Sequence, residues 1–275
     1  MSAITTAAVA PGFDRTLPRH VSLRQTWRDS MIMARRAIIK MRRTPEQLID
    51  VTLQPIIFTV MFAYIFGGAI SGDVQSYLPL FIPGILVQTV LTGASAAGTT
   101  LREDMDKGVF DRFKSLPIAR IAPLAGALTG DIVRYLIAGT ITFVMAFIMG
   151  YRPGGGPFGV TMTMLLVMAC GWALSWIFAL VGVSMKSARG VQGIAFLILF
   201  PLTFLSNAFV PTETMPGWLQ AFVKINPVTH IITAARDLCN TGTFGTDGWL
   251  AVIGATVVVA IFAPLTVRKY RKHVG

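Results

Sequence analysis

Five of the six residues from Arg102 to Lys107 are charged, in the order Arg-Glu-Asp-Met-Asp-Lys. Carboxylates this close can hold a divalent cation or present an ionic surface to a partner. Arg102 and Lys107 neutralise Glu103, Asp104 and Asp106, so the pattern fits a solvated or partner-facing surface better than a metal site. Glu103 and Lys107 stand at i, i+4, where helical side chains pair. Asp131 and Arg134 form a second pair at i, i+3. Other chemistry is sparse. His20, His230 and His273 are scattered, and no Ser/His/Asp or Cys/His constellation is visible. Cys170 and Cys239 fall in different kinds of segment and suggest no disulfide framework. The sequence has no GxxxxGK(S/T) phosphate loop, and the glycine run Gly154-Gly155-Gly156 lacks its lysine. The chain is therefore expected to bind no cofactor and to hydrolyse no ATP itself.

The elements around these residues are apolar. The chain of 275 residues is 53% hydrophobic and only 13% charged, against about 25% charged in soluble domains. Six stretches contain no Asp, Glu, Lys or Arg: Val51–Gly72, Val74–Leu101, Tyr135–Tyr151, Pro153–Met185, Gly190–Thr212 and Gly248–Val267. A helix needs about 20 apolar residues to cross a hydrocarbon core about 30 Å thick. Unalternating runs of this length read as helices, which satisfy their own backbone in lipid. Six transmembrane helices are expected, at Gln47–Phe66, Tyr77–Thr100, Ala127–Gly150, Phe158–Met185, Val191–Phe209 and Gly248–Val267. The fold class is an all-α polytopic membrane protein.

The net charge of +11 would suggest nucleic acid in a soluble protein. Its distribution argues otherwise. Twenty-one of the 24 lysines and arginines fall on one side of the six stretches, and only Arg152, Lys224 and Arg236 fall on the other. By the positive-inside rule both termini face the cytoplasm.

Residues 1–21 lack the features of a cleaved signal peptide and read as a flexible cytoplasmic tail. Residues 22–43 read as an amphipathic interfacial helix. Trp27, Met31, Ala34, Ile38 and Met41 recur at helical spacing, with Arg28, Arg35 and Arg42 on another face, placed for anionic lipid headgroups. Residues 44–275 form the six-span domain. Gly126 and Gly130 make a GxxxG pair, read as chance or as packing within the chain. Between spans two and three, Met105, Val109, Phe113 and Leu116 form an apolar stripe, so Leu101–Arg120 reads as a short helix before Pro117. Packing beneath the membrane and docking into a partner both fit it. Between spans five and six, Trp218, Leu219 and Phe222 mark one face of a short helix and Asn226-Pro227 breaks it. Two short helices hinged at a proline suggest an outer re-entrant hairpin; a hairpin on the membrane surface is the alternative.

Two runs carry a family resemblance. Arg102–Arg120, closing on Pro117-Ile118-Ala119-Arg120, resembles the charged loop of ABC-2 type transporter permeases. Val210–Leu238 is similar to that family's segment after span five, with Pro211, then Met215-Pro216-Gly217-Trp218-Leu219, then Asn226-Pro227-Val228-Thr229. The order of elements covers nearly the whole chain past Ser22, and the daunorubicin-resistance subgroup is the nearest in character.

The resemblance implies a multi-pass subunit of the bacterial plasma membrane. It implies a homodimer, or a pair with a close relative, working with a separate nucleotide-binding ATPase that carries ATP and Mg. The loop between spans two and three would act as the coupling helix, so Glu103, Asp104, Asp106, Lys107, Phe110, Arg112 and Phe113 would face the ATPase. The helix at 22–43 would be the connecting helix. A path at the dimer interface would run along spans one, two and five, with Phe58, Phe62, Gln88, Thr92, Phe196, Phe200, Phe204 and Asn207 as its lining. For each phenylalanine, lipid contact or helix packing is the competing assignment. Trp218, Phe222, Asn226 and Pro227 would form an outer gate.

The function expected is the export of amphipathic drugs or natural products. Export of a complex lipid or lipid-linked glycan by the same machine is one alternative, and a proton-coupled secondary carrier is another. Nothing in the sequence points to nucleic acid as a partner.

Overall fold

The computed structural model describes residues 23–109 and 121–274, and their regular elements are helical. Leu23–Arg43 is α1, Pro45–Ser71 α2, Val74–Asp106 α3, Ala122–Ile148 α4, Gly156–Ser184 α5, Ala188–Phe204 α6, Gly217–Ile225 α7, Pro227–Thr241 α8 and Thr246–Val274 α9. A single 3-10 turn, Thr212–Thr214, stands before α7. The expected tail at 1–21 lies outside the described residues.

Five helices, α2, α3, α4, α5 and α9, are long and apolar enough to cross a membrane; α6 is a shorter apolar helix. At about 1.5 Å per residue, its 17 residues span roughly 26 Å. The expected fifth span, Val191–Phe209, is thus cut at its far end. Leu205 leaves helical geometry while its N–H still bonds Pro201 O at 2.9 Å. Beyond it Ser206, Asn207, Ala208 and Phe209 are buried in irregular conformation. The cause is a better home in the core. Gly84 on α3 has no side chain, and a Cβ there would stand 2.3 Å from Ala208 O. The peptide at Ala208 therefore lies directly on α3.

Helix α3 is the axis of the bundle. It packs on α2, α4, α5, α6 and α8, and Tyr77, Leu78, Phe81, Ile82, Leu86 and Val87 are fully buried. Pro79 and Pro83 sit within it. A helical proline frees the carbonyl four residues earlier. Pro83 frees that of Pro79, which accepts from Asn240 Nδ2 of α8 at 2.9 Å. This is how a broken helical ladder is made good inside a membrane protein.

At the basic end the expected start of a separate helix at Leu101 is corrected, while residues 110–120 of that expected helix lie outside the described residues. Leu101–Asp106 continues α3 by more than a turn. The helix stops where Gly108 adopts φ +64 and donates to Met105 O. Apolar contacts explain the continuation: Leu101 and Met105 pack with Leu124, Leu128, Trp176 and Tyr270 in a core cluster at this end. Phe110, Arg112 and Phe113 lie outside the described residues.

Helix α1 packs along α4. Cβ atoms added at Gly126 and Gly130 would meet Met33 Cβ at 2.3 Å and Ala37 Cβ at 2.7 Å. The GxxxG pair is therefore packing within the chain, as one of its two readings held. Ala34 and Met41 are buried there, while Trp27 and Met31 are exposed, beside exposed Arg28, Arg35 and Arg42. The final helix outruns its expected end at Val267. Tyr270 is 1% exposed, and Thr266 Oγ1 donates to Trp176 O at 3.2 Å.

Candidate functional site

Two clusters of chemistry occupy opposite ends of the bundle, and a cleft runs between them. At the basic end, Lys40 Nζ of α1 lies 2.7 Å from Asp104 Oδ1 of α3. Beside them a cavity of about 50 Å³ between α1, α3 and α4 also touches Asp131 and Arg134. Arg134 Nε is 3.9 Å from Asp131 Oδ1, and both side chains are largely buried. Arg102 pairs with Asp106 and also donates to Met185 O at 3.0 Å, tying α3 to the α5–α6 turn. Glu103 and Lys107 sit 3.9 Å apart and are well exposed. Each of the three acids thus has a cationic neighbour. Asp104 faces inward to α1, whereas Glu103, Asp106 and Lys107 remain presented at the surface.

The cleft has a volume of about 640 Å³ and is walled by α2, α3, α4 and α6. Helices α2 and α6 each pack on α3 but make no extensive contact with one another, which leaves a long groove between them. Phe58, Gln88, Thr92, Phe196, Phe200 and Phe204 line it, together with Gln54, Gln192, Glu103 and Arg134 towards the basic end. Its hydroxyls serve their own helices: Thr89, Thr92 and Thr203 donate to Ile85, Gln88 and Leu199 carbonyls. Gln88 Oε1 is buried without a hydrogen-bond partner. Phe196–Phe200 and Phe200–Phe204 ring pairs, 5.3 and 4.6 Å apart, form a continuous aromatic wall on α6.

Phe62 and Asn207 are not on the lining. Phe62 stacks between Phe58 and Phe66 at 5.6 and 5.5 Å. Asn207 is 7% exposed and donates to Thr233 Oγ1 at 3.0 Å. Trp218 and Phe222 sit on the exposed face of α7, away from the cleft.

Asn226 is a structural junction. Its Oδ1 accepts from Val228 N at 2.9 Å and caps α8. Its Nδ2 donates to Leu202 O and Leu205 O at 2.8 and 3.0 Å, carbonyls left free where α6 ends. Pro227 supplies the first helical position of α8, where a missing N–H costs nothing.

Several residues here were not singled out from the sequence. Arg236, counted only as an outer base, donates its guanidinium to Leu80 O at 3.0 Å and Asn207 O at 2.8 Å. Burial lowers its pKa, and the charges of Asp237 and Glu213 oppose that. Tyr77 Oη donates to Phe209 O at 2.7 Å, and Tyr151 Oη to Asn240 Oδ1 at 2.8 Å. The available signal was a lone arginine in an otherwise apolar helix face, a group that must find acceptors when buried.

The sequence profile of the ABC-2 type transporter family matches residues 28–239. The chain belongs to the ABC-2 type transporter family. Its relatives include the daunorubicin resistance ABC transporter permease protein DrrB1 of Streptomyces coeruleorubidus, 45% identical over 86% of this chain and 83% of that one. A putative transport permease, ycf38, of Cyanophora paradoxa is 26% identical over 75% of this chain and 72% of its own. A probable doxorubicin resistance ABC transporter permease protein, DrrC, of Mycobacterium tuberculosis is 23% identical over 89% of this chain and 90% of its own. This ABC-2 chain is accordingly a membrane protein of the permease type, and its cleft and basic end lie within the part that defines the family.

Proposed function

We propose that this chain is the transmembrane subunit of an ATP-driven exporter that moves amphipathic drugs or natural products out of the bacterial cytoplasm. The observation that carries the proposal is the cleft of about 640 Å³, with an aromatic wall on α6 and amides on α2, α3 and α6. Sites for small organic molecules combine apolar walls with a few placed polar groups. Relatives named for daunorubicin and doxorubicin resistance support the same class of cargo.

In this reading α6 completes a sixth span with the irregular residues that follow it, and both termini lie in the cytoplasm, an orientation the positive-inside rule supports. The groove between α2 and α6 faces a second permease copy. A separate ATPase, carrying ATP and Mg, docks at the basic end against Glu103, Asp106, Lys107 and the segment holding Phe110, Arg112 and Phe113. Asp104 passes movement to α1 through Lys40. Trp218 and Phe222 anchor α7 in the outer leaflet beside the exit, and Asn226 and Pro227 hinge it.

The test is hydrolysis by the reconstituted permease–ATPase complex against daunorubicin and a panel of lipids and lipid-linked sugars. Stimulation by the drug is expected. Stimulation by lipid-linked sugars alone would favour glycan export. Drug efflux that persists without the ATPase and collapses with the proton gradient would replace the proposal with a secondary carrier.

A further inference from the structure

The cleft ends abruptly at the end away from the basic residues. Its lining stops at Phe58 on α2 and Phe204 on α6. One helical turn beyond Phe58, Phe62 stacks on Phe209 at 5.1 Å, and Phe209 meets Phe204 at 5.4 Å. Phe81 of α3 packs on the same ring at 6.2 Å. One side chain from irregular backbone therefore touches three of the four helices that wall the groove, α2, α3 and α6, at the level where it closes. Phe209 is 6% exposed.

We propose that Phe209 is the plug that seals this end of the cleft, held in place by Tyr77 and Arg236. The inference rests on reading the cleft as the transport path.

The mounting of the ring supports this role. Residues 206–209 lie beyond the helical ladder, and carbonyls of the segment are bound from outside. Tyr77 Oη takes the carbonyl of Phe209 itself at 2.7 Å. Arg236 takes the carbonyl of Asn207 at 2.8 Å while also holding Leu80 O on α3. The guanidinium thus ties the segment and α3 to α8 at one point. A ring on regular helix would move only with the whole helix. A ring on a short strap held by side-chain bonds, from Tyr77, Arg236 and Asn226 and to Thr233, moves when those bonds break, without unpacking the bundle. The plug releases toward the face that carries α7, so it controls what passes from the cleft to that side.

Accessibility of a cysteine in the cleft tests the plug. Thr92→Cys is placed in the full chain, coexpressed with its ATPase, in membrane vesicles of known sidedness. A membrane-impermeant maleimide is added on the face bearing α7, and the parent chain with its buried native cysteines gives the background. Slow labelling is expected with Phe209 present. Phe209→Ala is expected to raise the rate at least tenfold, with labelling from the basic face unchanged. An equal rate in Phe209→Ala overturns the proposal. If the alanine variant does not accumulate, Phe209→Leu replaces it, with at least a threefold rise expected and no rise again overturning it. Arg236→Gln is expected to raise the rate as well; an unchanged rate removes Arg236 from the plug. Labelling needs neither substrate nor turnover. A chain that labels as expected, in a complex without drug-stimulated hydrolysis, keeps the plug and loses the exporter reading.

Discussion

Lys40 and Asp104 are 64 positions apart in the chain, yet their charged atoms lie 2.7 Å from one another. The pair joins the amphipathic α1 to the extension of α3 at the basic end. It borders the cavity that also touches Arg36, Asp131 and Arg134, so two acids and three bases share one partly buried site. Neither member can be lost without leaving charge behind. Desolvation offsets much of the attraction in such a pair, yet losing one member alone leaves an unpaired charge and is costly.

A double-mutant cycle measures this link. Lys40→Ala and Asp104→Ala are each expected to lower the stability of the detergent-solubilised chain. The double variant is expected to lose less than the sum, leaving a coupling energy of about 1 kcal/mol. Lys40 is a third exposed, so the value belongs nearer to surface pairs than to fully buried ones. Thermal unfolding gives the energies. Simple additivity would show that the contact does not join the two helices energetically.

The α1–α4 contact gives a second expectation. Gly126→Val places a side chain where Met33 Cβ and Ser30 O already stand, 2.3 and 2.7 Å from the new Cβ. Backbone atoms cannot yield as a flexible side-chain tip would. A loss of about 1–3 kcal/mol is expected, the usual range for overpacking. Valine at Gly68, where a Cβ meets nothing within 4 Å, is the matched control. A chain equally stable with valine at either site would mean that α1 rests loosely on α4.

The long helices were legible because their signal is local. Runs free of charge mark α2, α3, α4, α5 and α9 to within a few residues at most ends. The end of α6 was not legible, because Phe204–Phe209 carries no charge, and the Gly84–Ala208 contact that accompanies the departure from the helix joins residues over a hundred positions apart. Leu101–Asp106 was misassigned for a related reason. Its charges read as a loop, yet Leu101 and Met105 find apolar partners on α4, α5 and α9 that no local pattern reveals. Six of the eight residues named for the path do line one cleft. Phe62 and Asn207 belong instead to its closed end, and Arg236 was missed because burial of a lone base is a property of the fold.

Asn226 separates two contributions that an alanine scan would merge. Asn226→Asp keeps the oxygen that caps α8 but cannot donate to Leu202 O and Leu205 O. It also sets a carboxylate against two part-buried carbonyls. Asn226→Ala loses the cap and both donors but adds no charge. A lost cap costs about 1 kcal/mol, and each unsatisfied buried carbonyl about 1–3 kcal/mol. The aspartate is therefore expected to be at least as damaging as the alanine, by thermal unfolding and by yield in the membrane. A well-tolerated aspartate would show that capping, rather than closing the end of α6, is the residue's main task.

Gln88 offers a test in which stability and function move in opposite directions. Its Oε1 is buried on the cleft wall with no hydrogen-bond partner. Leaving such an acceptor unmet costs the folded chain about 1–3 kcal/mol, and an apolar residue of similar shape removes that cost. Gln88→Leu is therefore expected to raise thermal stability by about 1 kcal/mol. If the cleft binds the transported molecule, the same oxygen is free to accept from its hydroxyl or ammonium group. Losing that bond is expected to raise the drug concentration for half-maximal stimulation of ATP hydrolysis about tenfold, equivalent to about 1.4 kcal/mol. Phe200→Ala, on the facing wall, is expected to raise that concentration too, but with a loss of stability, since it removes stacking on Phe196 and Phe204. The combination of a more stable chain and a weaker drug response in Gln88→Leu distinguishes a binding role from a packing role. A leucine variant that is more stable and responds to drug as the parent does would leave the cleft's acceptor without a transported partner.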